Sequence, residues 1–172
     1  MSRVGRLLVI DADIARSSGL ASATSARRSR EILAATLECR LRVAYVGRVR
    51  EEWERHASAF ARSWLVRMHA RKLVDDRVPI RSMRGLRSRI ERQADAGSRD
   101  LMKKDVHLLE TAAGGDQRIV SGDRRARVQF ARLAREFKPI GEVHWALFQS
   151  PGAVAWIESG AIDDRALMLG HG

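Results

Sequence analysis

Short apolar runs alternate with stretches of helical periodicity along this chain, and this alternation most restricts how it folds. The apolar runs cover residues 6–10, 42–46, 118–121 and 142–148. Apolar residues at three- and four-residue steps predict helices over 27–41, 49–74 and 124–137. Strands and helices that alternate in this way predict a three-layer α/β/α sandwich around a mainly parallel sheet. The 172 residues suit one domain spanning 1–172.

The charge of the chain predicts an anionic partner. The formal net charge is +11 and the isoelectric point is about 11.3. Almost all of the excess is arginine, whose planar guanidinium suits phosphate. A GC-rich genome also raises the arginine content of any protein surface. The charge therefore favours a nucleic acid as partner without establishing it.

Cysteine content and hydropathy exclude other classes of protein. The single cysteine, Cys39, leaves no internal disulfide and no cysteine-based zinc cluster. No run approaches the roughly 18 apolar residues of a membrane-spanning helix, and the first apolar run is too short for a signal peptide. We therefore expect a cytoplasmic protein with no membrane partner.

A basic segment, residues 75–104, predicts a helical insertion within the domain. It is rich in arginine and has few acids. If Arg84, Arg87 and Arg92 line one face, they can hold an RNA backbone through its phosphates. The alternative is a solvated basic helix with no ligand.

Four acids stand where a parallel sheet would bring them together. Asp11 ends the first predicted strand, and Asp123 follows the third by two residues. Ligands bind beyond the carboxyl ends of the strands in open α/β sheets. Glu52 falls in the first turn of the helix after the second strand, and Asp105 begins the helical run that leads to Asp123. Taken singly, each acid is more often a helix cap or turn residue than a ligand.

Carboxylates gathered in one pocket need a cation. Two unit charges about 4 Å apart repel by roughly 4 kcal/mol at an effective dielectric constant near 20. They either take up protons or bind a metal ion. Oxygen ligands favour Mg²⁺ or Mn²⁺. Such ions activate water and polarise phosphoryl oxygens, so the predicted chemistry is phosphodiester hydrolysis.

The segments that carry these acids resemble the PIN domain family. Residues 7–15 (LLVIDADIA) are similar to its apolar strand ending in Asp, with a second polar residue two places on. Residues 49–53 are similar to the stretch with its helical glutamate, where Glu51 and Glu54 are alternatives to Glu52. The most specific similarity covers 105–123, with a helical Asp, a small residue and Asp, a strand and Ser-Gly-Asp. The end, 143–157, is similar to the family's closing strand and helix.

This resemblance implies a PIN-like fold and a metal-dependent ribonuclease. Its metal ligands would be Asp11, Glu52, Asp105 and Asp123, with Mg²⁺ or Mn²⁺ as cofactor and RNA as substrate. Its supporting residues would be Asp13, Asp116 and Ser121. Many small PIN proteins are toxins held by an antitoxin, so an antitoxin is one expected partner, and analogy with the family alone adds a second copy of the chain in a homodimer. The basic segment 75–104 lies outside the resemblance.

Two other functions compete with a ribonuclease. Asp11-Ala12-Asp13 is also similar to the nucleophile strand of haloacid-dehalogenase phosphatases. Those enzymes need a further aspartate soon after the Gly-Asp, and residues 124–128 contain none. The second alternative is a catalytically weak scaffold that binds RNA or protein. The five histidines show no metal-ligand spacing, and we interpret His107 as a packing residue.

Overall fold

A computed structural model describes residues 5–19, 23–93 and 95–171 of the chain. Their strands form one five-stranded sheet in the order β3-β2-β1-β4-β5, and every neighbouring pair is parallel. The strands are β1 (Leu7–Ile10), β2 (Arg42–Ala44), β3 (Val74–Asp75), β4 (Arg118–Ser121) and β5 (His144–Leu147). The predicted parallel α/β fold is confirmed.

Helices flank this sheet and complete a three-layer sandwich. They are α1 (Ala12–Ser17), α2 (Ala23–Glu38), α3 (Gly47–His56), α4 (Ala59–Ala70), α5 (Arg84–Glu91), α6 (Ala96–Ala113), α7 (Arg124–Ala134) and α8 (Gly152–Glu158). One group packs together through α2, α4 and α8, and another through α3, α6 and α7. None of the described helices combines the length and apolar composition needed to cross a membrane.

The core is the middle of the sheet. Every residue of β1, β4 and β5 is buried. Strands covered on both faces need continuous apolar sequence, as in Leu7–Ile10. The same burial forces polar residues to the strand ends, where Asp11 and Asp123 stand.

The prediction of a single helix over 49–74 is wrong, because the structure has two helices there, α3 and α4. The backbone is extended at Ala57. Ser58 is the N-cap of the next helix, and its hydroxyl accepts a hydrogen bond from Ala61 N at 3.1 Å. Serine is a favoured N-cap because its hydroxyl satisfies an otherwise unpaired backbone N–H. The break rotates the apolar stripe, so Ala61 is buried while Phe60 is 39% exposed.

The basic segment 75–104 is only partly helical. Asp75 belongs to the edge strand β3, and residues 76–83 contain no helix. The helical region is interrupted before Ala96, where Asp95 caps α6 by accepting a hydrogen bond from Ser98 N at 2.7 Å. Asp105 consequently lies inside α6 and does not begin a helix.

An ion pair between an exposed arginine and a buried glutamate fixes α5 to α6. Glu110 is 3% exposed and accepts two hydrogen bonds from Arg87, at 2.7 Å from Nε and 2.5 Å from Nη2. It also accepts from Met83 N at 3.1 Å. Arg87, predicted to bind RNA, is therefore committed to a structural contact.

We expect Arg87→Ala to lower the free energy of unfolding by about 1–3 kcal/mol, because it leaves the Glu110 carboxylate buried and unpaired. Urea denaturation measures this change. Arg84→Ala is the matched control on the same helix, and we expect an effect within about 0.5 kcal/mol at this exposed position. Equal effects of the two substitutions would contradict a structural role specific to Arg87.

Candidate active site

The acidic residues meet where the order of the sheet reverses. β2 and β3 lie on one side of β1, and β4 and β5 lie on the other. An open cleft of about 480 Å³ lies beyond the carboxyl ends of β1 and β4, and four acids line it: Asp11, Asp13, Glu52 and Asp123. Parallel α/β sheets bind ligands at this kind of position.

Ser121 connects the two aspartates that follow the central strands. Its fully buried hydroxyl donates to Asp11 Oδ2 at 2.7 Å and accepts from Asp123 N at 3.1 Å. The main chain adds a bond from Asp11 N to Val120 O at 2.9 Å. Asp123 also caps α7 by accepting from Ala126 N at 2.8 Å. The Asp123 side chain therefore both lines the cleft and caps α7.

Asp13 supports the cleft from α1. Its Oδ2 accepts from Gly122 N at 2.7 Å, while its Oδ1 is buried with no hydrogen-bond partner among the described residues. A Cβ at position 122 would lie 2.5 Å from Asp13 Oδ2, so only glycine fits this close approach. Burial and the nearby Asp11 charge raise the pKa of Asp13 well above its usual value.

A tryptophan places Glu52 at the cleft. Trp53 Nε1 donates to Ile10 O at 2.8 Å, and this buried bond fixes α3 against the end of β1. The neighbouring Glu52 then lines the cleft. The alternatives Glu51 and Glu54 are exposed and do not line it. Glu52 also pairs with an arginine of its own helix, Arg48 at 2.9 Å, as Glu54 does with Arg50 at 2.7 Å. Of the three glutamates, Glu52 is therefore the one that the structure places at the cleft.

His107 is the residue whose position the sequence does not reveal. It is 6% exposed, and its Nε2 lies 3.5 Å from Glu52 Oε2. Its Nδ1 lies 2.9 Å from the carbonyl oxygen of Lys104, which only accepts, so Nδ1 carries the proton of the neutral ring. Burial lowers the pKa of His107. The ring therefore presents a bare nitrogen to the carboxyl group.

The sequence gives little reason to expect this contact. His107 lies two residues after Asp105, and two residues rotate a helix by about 200°. Proximity along the chain therefore places the two side chains on different faces of α6. Only the packing of α3 against α6 brings Glu52 to the imidazole.

Asp105 is the most deeply buried of the four predicted ligands. It is 4% exposed, and its Oδ2 has no hydrogen-bond partner among the described residues. Its pKa is raised to about 7, first by burial and then by the charges of Asp11, Asp123 and Glu52. Burial also raises the pKa of Asp11, against the hydrogen bond from Ser121. The four acids therefore share one electrostatic environment.

Asp116 lies elsewhere. Its Oδ2 accepts from Leu7 N at 2.6 Å, at the amino end of β1 and therefore at the opposite edge of the sheet. The predicted supporting role at the cleft is wrong for this residue. Its carboxylate instead anchors the turn before β4 to the start of β1.

The donor set fits a divalent cation in chemistry but does not form a ready-made coordination shell. Within residues 5–19, 23–93 and 95–171, no three Asp, Glu, His or Cys side chains are close enough to hold an ion as they stand. Carboxylate oxygens are nevertheless the donors that Mg²⁺ and Mn²⁺ prefer. The raised pKa values and the unpartnered oxygens of Asp13 and Asp105 mark negative charge that a cation would neutralise.

No protein-family model, curated protein or solved structure gives a significant match to this chain. The resemblance to the PIN family consequently rests on the sequence motifs. The chemistry of the cleft is therefore the main indication of function.

We expect Asp105→Asn to stabilise the metal-free protein at pH 8. The folded state keeps the Asp105 proton up to about pH 7, whereas the unfolded chain releases it near the ordinary value of 3.8. Stability is therefore lost as the pH rises through this interval, and an amide avoids the loss. Thermal denaturation in EDTA should show a melting temperature higher by roughly 4–8 °C, as about 2 kcal/mol would produce.

The gain should shrink at pH 5, where the native carboxyl group is already neutral. An Asp105→Asn protein that melts at the wild-type temperature or below it at pH 8, with the same secondary structure, would contradict the buried-charge account.

Proposed function

We propose that this chain is a PIN-like, metal-dependent ribonuclease. It hydrolyses RNA phosphodiester bonds in the cleft, with Mg²⁺ or Mn²⁺ bound by Asp11, Glu52, Asp105 and Asp123. The observation that carries the proposal is the position of Asp11, Glu52 and Asp123, which line the cleft where the sheet order reverses. Asp105 does not line the cleft, but the charges of the other three acids help to raise its pKa.

Burying these carboxyl groups costs folding free energy, and this cost indicates that they serve a function. Burial raises the pKa of Asp11, Asp13 and Asp105, so the folded chain holds carboxyl groups that resist ionisation. Asparagine would satisfy the hydrogen bonds that Asp11 and Asp13 accept, without the charge. Perturbed carboxyl groups beside a cleft are a common property of catalytic sites.

The residues of the chain have distinct roles in this proposal. A bound divalent cation would activate water and neutralise charge on the phosphoryl group. Ser121 orients Asp11 through its hydroxyl, and Trp53 positions Glu52 by its bond to the end of β1. Asp13 holds the loop at Gly122, which forms part of the cleft wall.

One observation favours the alternative of a catalytically weak scaffold. No three described donor side chains stand close enough together to hold an ion without moving. A protein that bound RNA alone would use its net charge of +11 and would gain nothing from buried acids. The acids therefore favour the nuclease, and activity decides between the two.

The test is cleavage of a fluorescent single-stranded RNA in Mn²⁺, in Mg²⁺ and in EDTA. We expect cleavage only with a divalent cation. Asp11→Asn should slow it on the order of 10²-fold or more, the scale seen when one charge-stabilising group is removed. The matched control is Asp116→Asn, which changes the same functional group at the opposite edge of the sheet. It should retain activity.

Cleavage that survives Asp11→Asn would refute the site. Failure of the wild-type protein to cleave RNA in either metal would favour the scaffold.

A further inference from the structure

Four cationic side chains line the same cleft as the acids: Arg16, Lys104, Arg124 and Arg125. All four are exposed. In the described part of the chain, none of them forms an ion pair or donates a side-chain hydrogen bond. We call this set the cationic rim.

We infer that the cationic rim binds the phosphate backbone of the RNA on both sides of the bond to be cut. The inference rests on the proposed function and names the part of the protein that holds its substrate. It replaces the predicted RNA-binding face of Arg84, Arg87 and Arg92.

The rim cations do not pair with the acids beside them in the sequence. Consecutive residues of a helix do not face each other, and accordingly neither Arg124 with Asp123 nor Lys104 with Asp105 is within ion-pair distance. Of the cleft acids, Glu52 does have a cation of its own, Arg48 at 2.9 Å, which lies outside the rim. The acids face the interior, and the cations stay at the solvent boundary.

This separation matches the charge pattern of a nucleic acid. Anionic phosphates along a strand meet exposed cations before they reach the buried acids. Guanidinium groups bind phosphate oxygens in pairs, which fixes the strand as well as attracting it. A small neutral substrate would use neither the rim nor the net charge of +11.

The rim residues come from three elements. Arg124 and Arg125 occupy the first two positions of α7, where the helix dipole adds positive potential. Arg16 lies in the last turn of α1, and Lys104 lies on α6. Arg125 also lies within electrostatic range of Asp95. Cations that line the cleft from three helices can hold a strand at the cleft itself, whereas a helix face that does not line it could hold the strand only beside the cleft.

The previously predicted basic face is less suited to this role. Arg87 is held by Glu110, and its neighbour Arg89 stacks over the Phe137 ring with its guanidinium carbon 5.0 Å from the ring centroid. Arg84 and Arg92 are exposed, but neither lines the cleft. They therefore provide a control with the same change in charge.

The experiment compares two double variants, Arg124→Gln/Arg125→Gln and Arg84→Gln/Arg92→Gln. Binding of a labelled single-stranded RNA is followed by fluorescence anisotropy in EDTA, between about 50 and 200 mM salt. For the rim variant we expect affinity about tenfold lower at 100 mM salt. The slope of log affinity against log salt should fall by about 1.4, or about 0.7 for each lost phosphate contact on a single strand. The control variant should keep the wild-type slope.

Substitution of Arg124 and Arg125 by lysine distinguishes an effect of lost charge from an effect of disturbed folding. The lysine variant keeps the cations and should keep the salt slope. Equal losses in the two glutamine variants would mean that net charge alone binds RNA, and would overturn the inference. A larger loss in the control would overturn it as well.

Failure of the inference and failure of the proposed function give different results. A wild-type protein that binds RNA with the expected rim dependence but never cleaves it in Mn²⁺ would refute the ribonuclease alone. A protein that cleaves RNA while its rim variants bind as the wild type does would refute the rim alone.

Discussion

The buried hydroxyl of Ser121 connects the fold to the site. It donates to Asp11 and accepts from the backbone of Asp123, and so joins the ends of the two central strands. Both strands are fully buried, and their apolar residues end at Ile10 and Val120, which leaves Asp11, Ser121 and Asp123 at their carboxyl ends. The place of the cleft, the orientation of its first acid and the start of α7 all depend on this junction.

Around this junction the protein holds carboxyl groups that none of the cations lining the cleft pairs with. Burial raises the pKa of three aspartates, while a neutral imidazole faces Glu52 without a hydrogen bond. Cations stand at the edge of the cleft and pair with none of these acids in the described part. We propose that the acids bind a metal ion and that the exposed cations beside them bind a polyanion. This division of charge unites the two proposals.

The sequence predicted the parts of this structure that depend on local pattern. Short apolar runs such as Leu7–Ile10 and the Ile-Val pair of Arg118–Ser121 are visible in any window of the sequence, and so are the acids that follow them. The break at Ser58 was missed because the apolar stripe continues across it, although serine was a signal for a new helix. The contact of His107 with Glu52 and the pairing of Arg87 with Glu110 depend on how helices pack, which no local pattern encodes.

The most direct test of the account is calorimetric titration of the metal-free protein with Mn²⁺ at pH 8. The account predicts saturable binding by the wild-type chain and by Asp116→Asn. It predicts that Asp11→Asn or Asp105→Asn weakens binding by at least about tenfold, because each removes a charged oxygen donor. An absence of binding, or binding that both of these substitutions leave unchanged, would contradict the claim that the gathered carboxylates hold a cation.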